Sequence, residues 1–494
     1  MKITLFSYNA SHYHTALAIR ILRDVLCDMK ISESIPMEIT LAEHSLKDKR
    51  LSVLSHLVSE DSDIYAFSVY IWNITETLAI AENLKKLRPE SKIIFGGPEV
   101  SFRAEEILSD NPYIDTVICF EGEEAIKKAV RSYPDMPKII IGEQSSTFLT
   151  QKPHYFLPDG TPEALEKGRF IYYESSRGCP YRCGYCLSGD TPKIAAKSVE
   201  ETLSDLKMLE MLPGGKRTVK LVDRTFNFDL TRAKAIWKAL KSEEYTHCYH
   251  FEIQPSLIDG EALEILSDIP EGKFQFEAGV QSTNTEVLRE CNRKADIEKE
   301  LYNLDLLRRR TSIPIHADLI CGLPLEDIES IKHSVNEVYY VSDELQLGFL
   351  KLLSGTAIAK NAKDYGMVST SEPPYEVLCT EKLSFEDMYR LHGIAALLDR
   401  VSNSGKFKNT LEMMVGKKER GNSDGKVTPF EFFDGFLKYI SVHPSAIGQS
   451  AMYEKLYSYC LRYCNQDTER IALKEACFLD FTTNERTRIP GLLK

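Results

Sequence analysis

No stretch of the 494-residue sequence approaches the about 18 consecutive apolar residues that a membrane span needs. The opening residues, MKITLFSYNA, lack a signal-peptide build: one lysine precedes a short alternating run and then polar residues. The chain is therefore expected in the cytoplasm. Positive charge is scarce as well, with 61 Lys and Arg against 73 Asp and Glu for a formal net charge of −12. Basic patches with interleaved aromatics are missing, so nucleic-acid binding is not expected. The short runs KKER near Lys417 and LRRR near Arg308 read as solvated faces. Fixed-period repeats and low-complexity tracts are also missing. What remains, 43% hydrophobic and 27% charged residues, is ordinary globular composition with length for two to four domains.

Over the first 145 residues, strand-like and helix-like stretches alternate. KITLFS (2–7), PMEITL (36–41), IYAFSVY (64–70), KIIFGG (92–97) and DTVICF (115–120) precede helical runs at 12–29, 49–58, 74–88, 102–109 and 122–131. Five such units predict a parallel sheet covered on both faces, a doubly wound, flavodoxin-like domain. Ligands of such sheets bind outside the carboxyl ends of the strands. Those ends carry Tyr8, Asn9 and His12; Ser68, Tyr70, Trp72 and Asn73; Gly96, Gly97, Pro98 and Glu99; and Glu121 and Gly122. The paired glycines permit close approach of a bulky ligand to the backbone, although Gly-Gly-Pro is also good turn chemistry by itself.

Residues 146–168, rich in Pro, Gly and polar side chains, read as a linker. Strand 170–176 then leads into a cysteine loop, and further strands are expected at 218–223, 249–254, 273–280, 315–322 and 344–352. Helices separate them at about 198–212, 229–242, 259–267, 283–291, 296–309 and 326–341. Six units over 169–374 predict a partial (β/α)6 barrel of the TIM type, whose chemistry sits at the carboxyl ends of its strands. Residues 375–494 read as mainly helical and include the aromatic stretch YEKLYSYCLRYC.

The cysteine loop, SSRGCPYRCGYCLSG (175–189), packs three thiols into eight residues. A structural zinc site wants four closed ligands, yet no second Cys-x2-Cys pair follows. Cys460 and Cys464 lie far away, four apart on a probable helix face. A disulfide would leave one thiol over and suits a different compartment. Three soft thiolates better suit an iron–sulfur cluster with one iron left open to a ligand. Cys248, Cys291, Cys321, Cys379 and Cys477 read as isolated buried thiols, with Cys321 the one nearest the expected mouth.

Cys179-x3-Cys183-x-Tyr185-Cys186 resembles the signature of the radical S-adenosylmethionine superfamily, in spacing, in its aromatic residue and in its place after the first barrel strand. The resemblance implies a 4Fe–4S cluster on Cys179, Cys183 and Cys186. It also implies S-adenosylmethionine on the open iron and one-electron cleavage to a 5′-deoxyadenosyl radical, fed by a donor such as flavodoxin or ferredoxin. Tyr185 then falls near the adenine. Glu252, Gln254, Gly279, Gln281 and Ser282 fall where the family contacts methionine and ribose, and Asp318 with Gly322-Leu323-Pro324 matches its fifth-strand motif. In DRTFN (223–227), Asp223, Arg224 and Asn227 are expected to face the same mouth, with Arg224 a candidate for a substrate or cofactor carboxylate or, equally, for a salt bridge with Asp223 or another neighbour.

A doubly wound domain ahead of such a barrel resembles the cobalamin-dependent branch of that superfamily. This implies a corrinoid at Ser68, Tyr70, Trp72, Asn73, Gly96, Gly97, Pro98, Glu99, Glu121 and Gly122. The Asp-x-His-x-x-Gly motif that places histidine on cobalt is missing, and His12 and His14 are expected to be ordinary helix-entry residues. An open lower face favours release of methyl as a radical, so the expected reaction is methylation of an unactivated carbon or a phosphinate in a small molecule or peptide. A rearrangement or cyclisation without methyl transfer, or a corrinoid or redox-sensing module, are the alternatives. A methylthiotransferase would need a second cysteine trio near the amino terminus, where only Cys27 and Cys119 occur. The substrate pocket is expected between corrinoid and cluster, capped by the carboxy-terminal helices.

Overall fold

The computed structural model describes residues 1–144, 147–190, 193–421, 424–486 and 492. The first domain holds six parallel strands: β1 (Lys2–Asn9), β2 (Glu38–Ser45), β3 (Ile64–Ser68), β4 (Lys92–Gly96), β5 (Thr116–Cys119) and β6 (Ile139–Ile141), in the order 2-1-3-4-5-6. α1 (Leu17–Ser32) and α6 (Glu123–Arg131) cover one face through Ile19, Val25, Leu26 and Ile126. α2 (Arg50–Glu60), α3 (Ile74–Leu87), α4 (Pro98–Ser101) and α5 (Ala104–Asp110) cover the other through Val53, Leu57, Ile80, Leu84, Val100 and Ile107. Both faces are buried, which is why these strands read as nearly continuous apolar runs. The sixth strand escapes sequence reading because three residues carry no periodicity, and Ile141 is exposed at the sheet edge. The helix expected from residue 12 begins at Leu17, since His14 and Thr15 turn instead toward the second domain, bonding Tyr172 and Tyr155.

The stretch expected to be a linker is a packed strap. Tyr155 and Phe156 are buried in the barrel core, and the Tyr155 hydroxyl meets Thr15 Oγ1 at 2.8 Å and accepts from the Tyr172 N–H at 2.8 Å. Glu163 pairs with Arg20 and Arg23 of α1, while Arg217 donates to the carbonyls of Leu165 and Glu166.

The second domain is the expected open barrel. β7 (Ile171–Tyr173) is followed by a short antiparallel pair, β8 (Ser176–Arg177) and β9 (Ala195–Ala196). β10 (Thr218–Leu221), β11 (Cys248–Glu252), β12 (Phe274–Gln281), β13 (Ile315–Cys321) and β14 (Glu344–Phe349) then join β7 in parallel, in the order 14-13-12-11-10-7. α7 (Val199–Leu209), α8 (Leu230–Leu240), α9 (Gly260–Ser267), α10 (Thr285–Glu290), α11 (Ile297–Arg310) and α12 (Ile328–Tyr339) lie between the strands in sequence. Each starts on a side-chain cap: Ser198, Asp229, Asp259, Asn284, Asp296 and Asp327. Such caps satisfy amide donors that the helix itself leaves free. Trp237 of α8, fully buried against Phe226, Phe251 and Phe276, centres the core.

After β14 come α13 (Ala357–Lys360) and an antiparallel pair, β15 (Val368–Ser369) and β16 (Val377–Cys379). The helices α14 (Phe385–Leu397), α15 (Lys408–Val415), α16 (Pro429–Ile440), α17 (Gln449–Cys460) and α18 (Asp467–Asn484) follow. Asn403, in the wide turn after α14, accepts from Leu345 N–H at 3.1 Å and donates to Leu345 O at 2.9 Å, so an amide side chain blunts the open edge of β14. Thus α16 packs on α12 and α14 along the barrel's flank. The segment 351–376 reaches across to the first domain through Tyr375 and Gly355, while α14 meets the strand ends at Gly322 and Phe349 through Met388 and His392.

Tyr155→Phe would leave the half-buried Tyr172 N–H without its acceptor. We expect a loss of about 1–3 kcal/mol, read from urea unfolding by circular dichroism.

Candidate functional site

The cysteine loop begins where β8 and β9 cross. Gly178 has φ +99°, and a Cβ there would stand 2.7 Å from Lys193 O, so only glycine lets the strands pass. Beyond it, Gly184 N–H donates to Cys291 O at 2.7 Å and Gly184 O accepts from Ile358 N–H at 3.0 Å. Asn292 adds a bond to Arg182 O at 2.7 Å. These bonds tie the loop to the end of α10 and to α13. Cys183 is buried, whereas Cys179 and Cys186 are half-buried. Burial pushes the Cys179 thiol up, and the neighbouring Cys186 and Cys183 add to that rise. Among the described residues no three His, Cys, Asp or Glu side chains converge as they would on a single metal ion. Three neighbouring thiols in one loop carry the donor chemistry of an iron–sulfur cluster.

Arg293, which sequence reading missed, lies directly beneath this loop. Its Nη1 is 4.0 Å from Cys183 Sγ, and its Nη2 donates to Gly279 O and, at 3.4 Å, to Gln254 Oε1. Gln254 in turn donates to Ser256 at 3.0 Å and to Glu300. Gln254 was expected to contact a cofactor; it is committed to holding Arg293 and Glu300. Ser282, likewise, is fully buried and donates to Glu326 at 2.6 Å. Three buried polar atoms beside the loop have no hydrogen-bond partner among the described residues, Tyr185 Oη, Gln281 Oε1 and Arg293 Nε. Gln281 sits at a bulge with φ +73°, and its amide fills the space a Cβ on Gly279 would take. Orphaned atoms of this kind are expected where a polar ligand completes the bonding.

The barrel lumen is polar. Glu252 is pushed up to about 7 by burial, opposed by Arg224. Asp318 is pushed up to about 8 by burial, helped by Glu277 and Glu252. The His250 imidazole, 3.2 Å away, holds Glu277 below its ordinary range, and His316 lies 3.4 Å from Asp318. Asp223 and Asn227 do not face this mouth as expected. Asp223 is fully buried and accepts from Ser175 N–H at 3.1 Å, Ser175 Oγ at 2.7 Å and Ser176 Oγ. Asn227 exchanges two bonds with the Gln254 backbone, at 2.8 and 2.9 Å. Arg224 is exposed and lies close enough to both Tyr70 and Glu252 to oppose the rise of each. It makes no side-chain hydrogen bond or ion pair among the described residues.

Tyr70 and Trp72 stack at 4.4 Å and 9° on the facing edge of the first sheet, with Trp72 52% exposed. Burial raises the Tyr70 phenol, which lies beside Ser68. Gly97 has φ +127°, and a Cβ there would collide with Val69 O. Gly96 O accepts from Val69 N–H at 2.7 Å, and Pro98 opens α4. Asn73, expected as a ligand contact, is wholly buried: its amide donates to Tyr8 O and Ser68 O and accepts from Tyr70 N–H. Glu99 accepts from Tyr375 Oη at 2.8 Å and pairs with Arg103. Glu121 and Glu123 pair with Arg177, at 2.9 and 2.8 Å, and Gly122 caps α6 beside Leu22. His12 pairs with Asp48, while His14 crosses to Tyr172 and is no mere helix-entry residue. Cys321, the isolated thiol nearest the mouth, is 1% exposed and is raised by burial.

Three family matches follow this division of the chain. Residues 9–130 match the B12 binding domain, 173–338 the Radical SAM superfamily, and 363–493 a family described as a protein of unknown function, DUF4080. Among curated proteins, 2-(S-pantetheinyl)-carbapenam-3-carboxylate methyltransferase of Streptantibioticus cattleyicolor is 23% identical over 316 residues, 56% of this chain and 45% of that protein. The cobalamin-dependent radical SAM methyltransferase TokK of Streptomyces tokunonensis gives the same identity and coverage over 317 residues. The match thus spans less than half the length of these relatives. Among solved structures, TsrM of Kitasatospora setae, with cobalamin and a [4Fe-4S] cluster bound, aligns at TM-score 0.59 and 15% identity, covering 76% of this chain and 82% of that one. OxsB, with aqua-cobalamin and S-adenosylmethionine bound, aligns at 0.61 and 14%, covering 97% and 78%. The fold is shared with both.

Since folding raises the Asp318 carboxyl, the folded chain keeps a proton that the unfolded chain releases between about pH 4 and the value near 8. Stability from this group therefore falls as pH rises through that window. Asp318→Asn should flatten the decline and exceed wild type in stability at about pH 9. Urea unfolding across pH 5–9 checks this, and identical slopes would refute it.

Proposed function

On a chain that joins a B12-binding domain to a radical SAM domain, we propose a cobalamin-dependent radical S-adenosylmethionine methyltransferase acting on an unactivated carbon or phosphinate centre of a small molecule or peptide. The observation that carries this reading is the placement of the three-cysteine loop. Arg177, two residues before Cys179, is ion-paired to Glu121 and Glu123 at the edge of the first sheet. Arg224, near both Tyr70 and Glu252, links the first sheet's edge to the barrel lumen, so in this reading the Tyr70–Trp72 platform and the barrel mouth serve one site.

In this reading Cys179, Cys183 and Cys186 hold a 4Fe–4S cluster, and the corrinoid rests on the Ser68–Trp72 and Gly96–Gly97 loops. Arg293, Gln281, Tyr185, Glu252 and Asp318 receive S-adenosylmethionine: a guanidinium suits its carboxylate, and the unpartnered Tyr185 Oη and Gln281 Oε1 suit its polar atoms. When bound, these groups supply hydrogen-atom abstraction and a transferable methyl group. The chain's own contribution is orientation and exclusion of water. Burial raises the Tyr70 phenol further above its ordinary range. Arg224 is the candidate anchor for an anionic substrate group. A small electron-transfer protein such as flavodoxin or ferredoxin would supply electrons in a reducing, cytoplasmic compartment. No described helix is long and apolar enough to cross a membrane.

Anaerobic reconstitution with iron, sulfide and hydroxocobalamin should load about four irons and one corrinoid per chain. Cys179→Ala, Cys183→Ala and Cys186→Ala should each lose iron while keeping corrinoid. Trp72→Ala should lose corrinoid while keeping iron. Turnover with methyl-deuterated S-adenosylmethionine should label the product; cleavage to 5′-deoxyadenosine with no labelled product would count against methyl transfer.

A further inference from the structure

The aromatic stretch YEKLYSYCLRYC (453–464) finds no use in the barrel mouth. In the fold it builds one wall of a cavity of about 450 Å³ between α16 and the end of α17, lined by Gly435, Lys438, Tyr439, Tyr459, Arg462 and Tyr463. That volume lies in the range of small-molecule sites.

Three features of the lining point the same way. The first is a preset aromatic surface. Tyr459 is 2% exposed and its hydroxyl donates to Phe432 O at 3.2 Å and shares a 2.7 Å hydrogen bond with Tyr463 Oη. Its ring lies 5.6 Å from Tyr439 and 5.4 Å from Tyr463. The second is Gly435, in the middle of α16. Glycine there costs a helix about 1 kcal/mol relative to alanine, yet a Cβ would collide with the Tyr459 hydroxyl. The residue keeps both the ring and the floor in place. The third is charge. Arg462 lies over the Tyr439 ring at 5.9 Å and has no hydrogen bond or ion pair among the described residues. Lys438 shares Asp434 with Arg390. In a chain of net charge −12, this lining offers two cations and no carboxylate.

Phenol rings bind flat apolar faces, and an unpaired guanidinium at their rim binds a carboxylate, sulfonate or phosphate as a fork. We propose that the α16–α17 cavity is a ligand site for a planar aromatic ring bearing an anionic group, separate from the barrel mouth. It requires neither cluster nor corrinoid, so it stands or falls apart from the methyltransferase reading.

The test is fluorescence titration of the full chain with 8-anilinonaphthalene-1-sulfonate, an aromatic sulfonate, against the uncharged N-phenyl-1-naphthylamine. We expect saturable binding of the sulfonate, weakened at least tenfold by Arg462→Met and by Tyr439→Ala, two exposed positions whose variants should retain the wild-type Tm. Gly435→Ala should also lose binding by displacing Tyr459. Binding of the neutral dye should not respond to Arg462→Met. Displacement by adenosine 5′-monophosphate would mark a nucleotide as the source of the ligand chemistry, and displacement by benzoate an aromatic acid. Absence of saturable sulfonate binding, or equal affinity in Arg462→Met and wild type, would overturn the proposal.

Discussion

Arg177 is the contact on which the geometry of the cleft depends. It stands between the first barrel strand and Cys179, and its guanidinium meets Glu174, Glu121 and Glu123 while covering the Phe148 ring at 4.7 Å. The side chain is only 14% exposed, so its charge is satisfied by carboxylates and not by water. Removing one member of a buried cluster of this kind leaves the others uncompensated, which penalises any other docking of the two domains. A single side chain thereby fixes the edge of one sheet against the mouth of another.

A second set of contacts repeats that constraint from the opposite side. Tyr375, past the end of the barrel, donates to Glu99, and its ring lies under the Arg103 guanidinium at 5.5 Å. Gly355 leaves room for the Phe102 ring. The same segment bonds Gly184 inside the cysteine loop through Ile358. The strap, the segment 351–376 and Arg177 all hold the first domain against the barrel. This explains why several strand-end polar residues that resemble ligand contacts, Asn73, Glu99 and Glu121 among them, are consumed by scaffold.

The lumen obeys a different logic. Closed barrels fill their interior with branched apolar side chains. Here the inward layer carries Lys220, His250, Glu252, Glu277, His316 and Asp318, and burial lifts Glu252 and Asp318 toward neutral pH. Carboxyls raised by burial in this way are costly to the fold.

Residue order alone determined the local features: the alternation of strands and helices, the sequential barrel, the absence of a cobalt-ligating histidine motif, and the loop of Cys179, Cys183, Cys186 and Tyr185. Each is written in periodicity or short spacing, which survives without tertiary context. Only the fold decided which candidate side chains remain free. Trp72 and Arg224 stay exposed and Gln281 keeps a buried, unpartnered amide oxygen, whereas Gln254, Ser282 and Asp223 are bonded inside the fold, because burial requires every polar atom to find a partner and the nearest partners lie far away in sequence. Arg293, reaching Cys183 across 110 residues, and the α16–α17 cavity were invisible for the same reason: their chemistry comes from side chains that only long-range packing brings together.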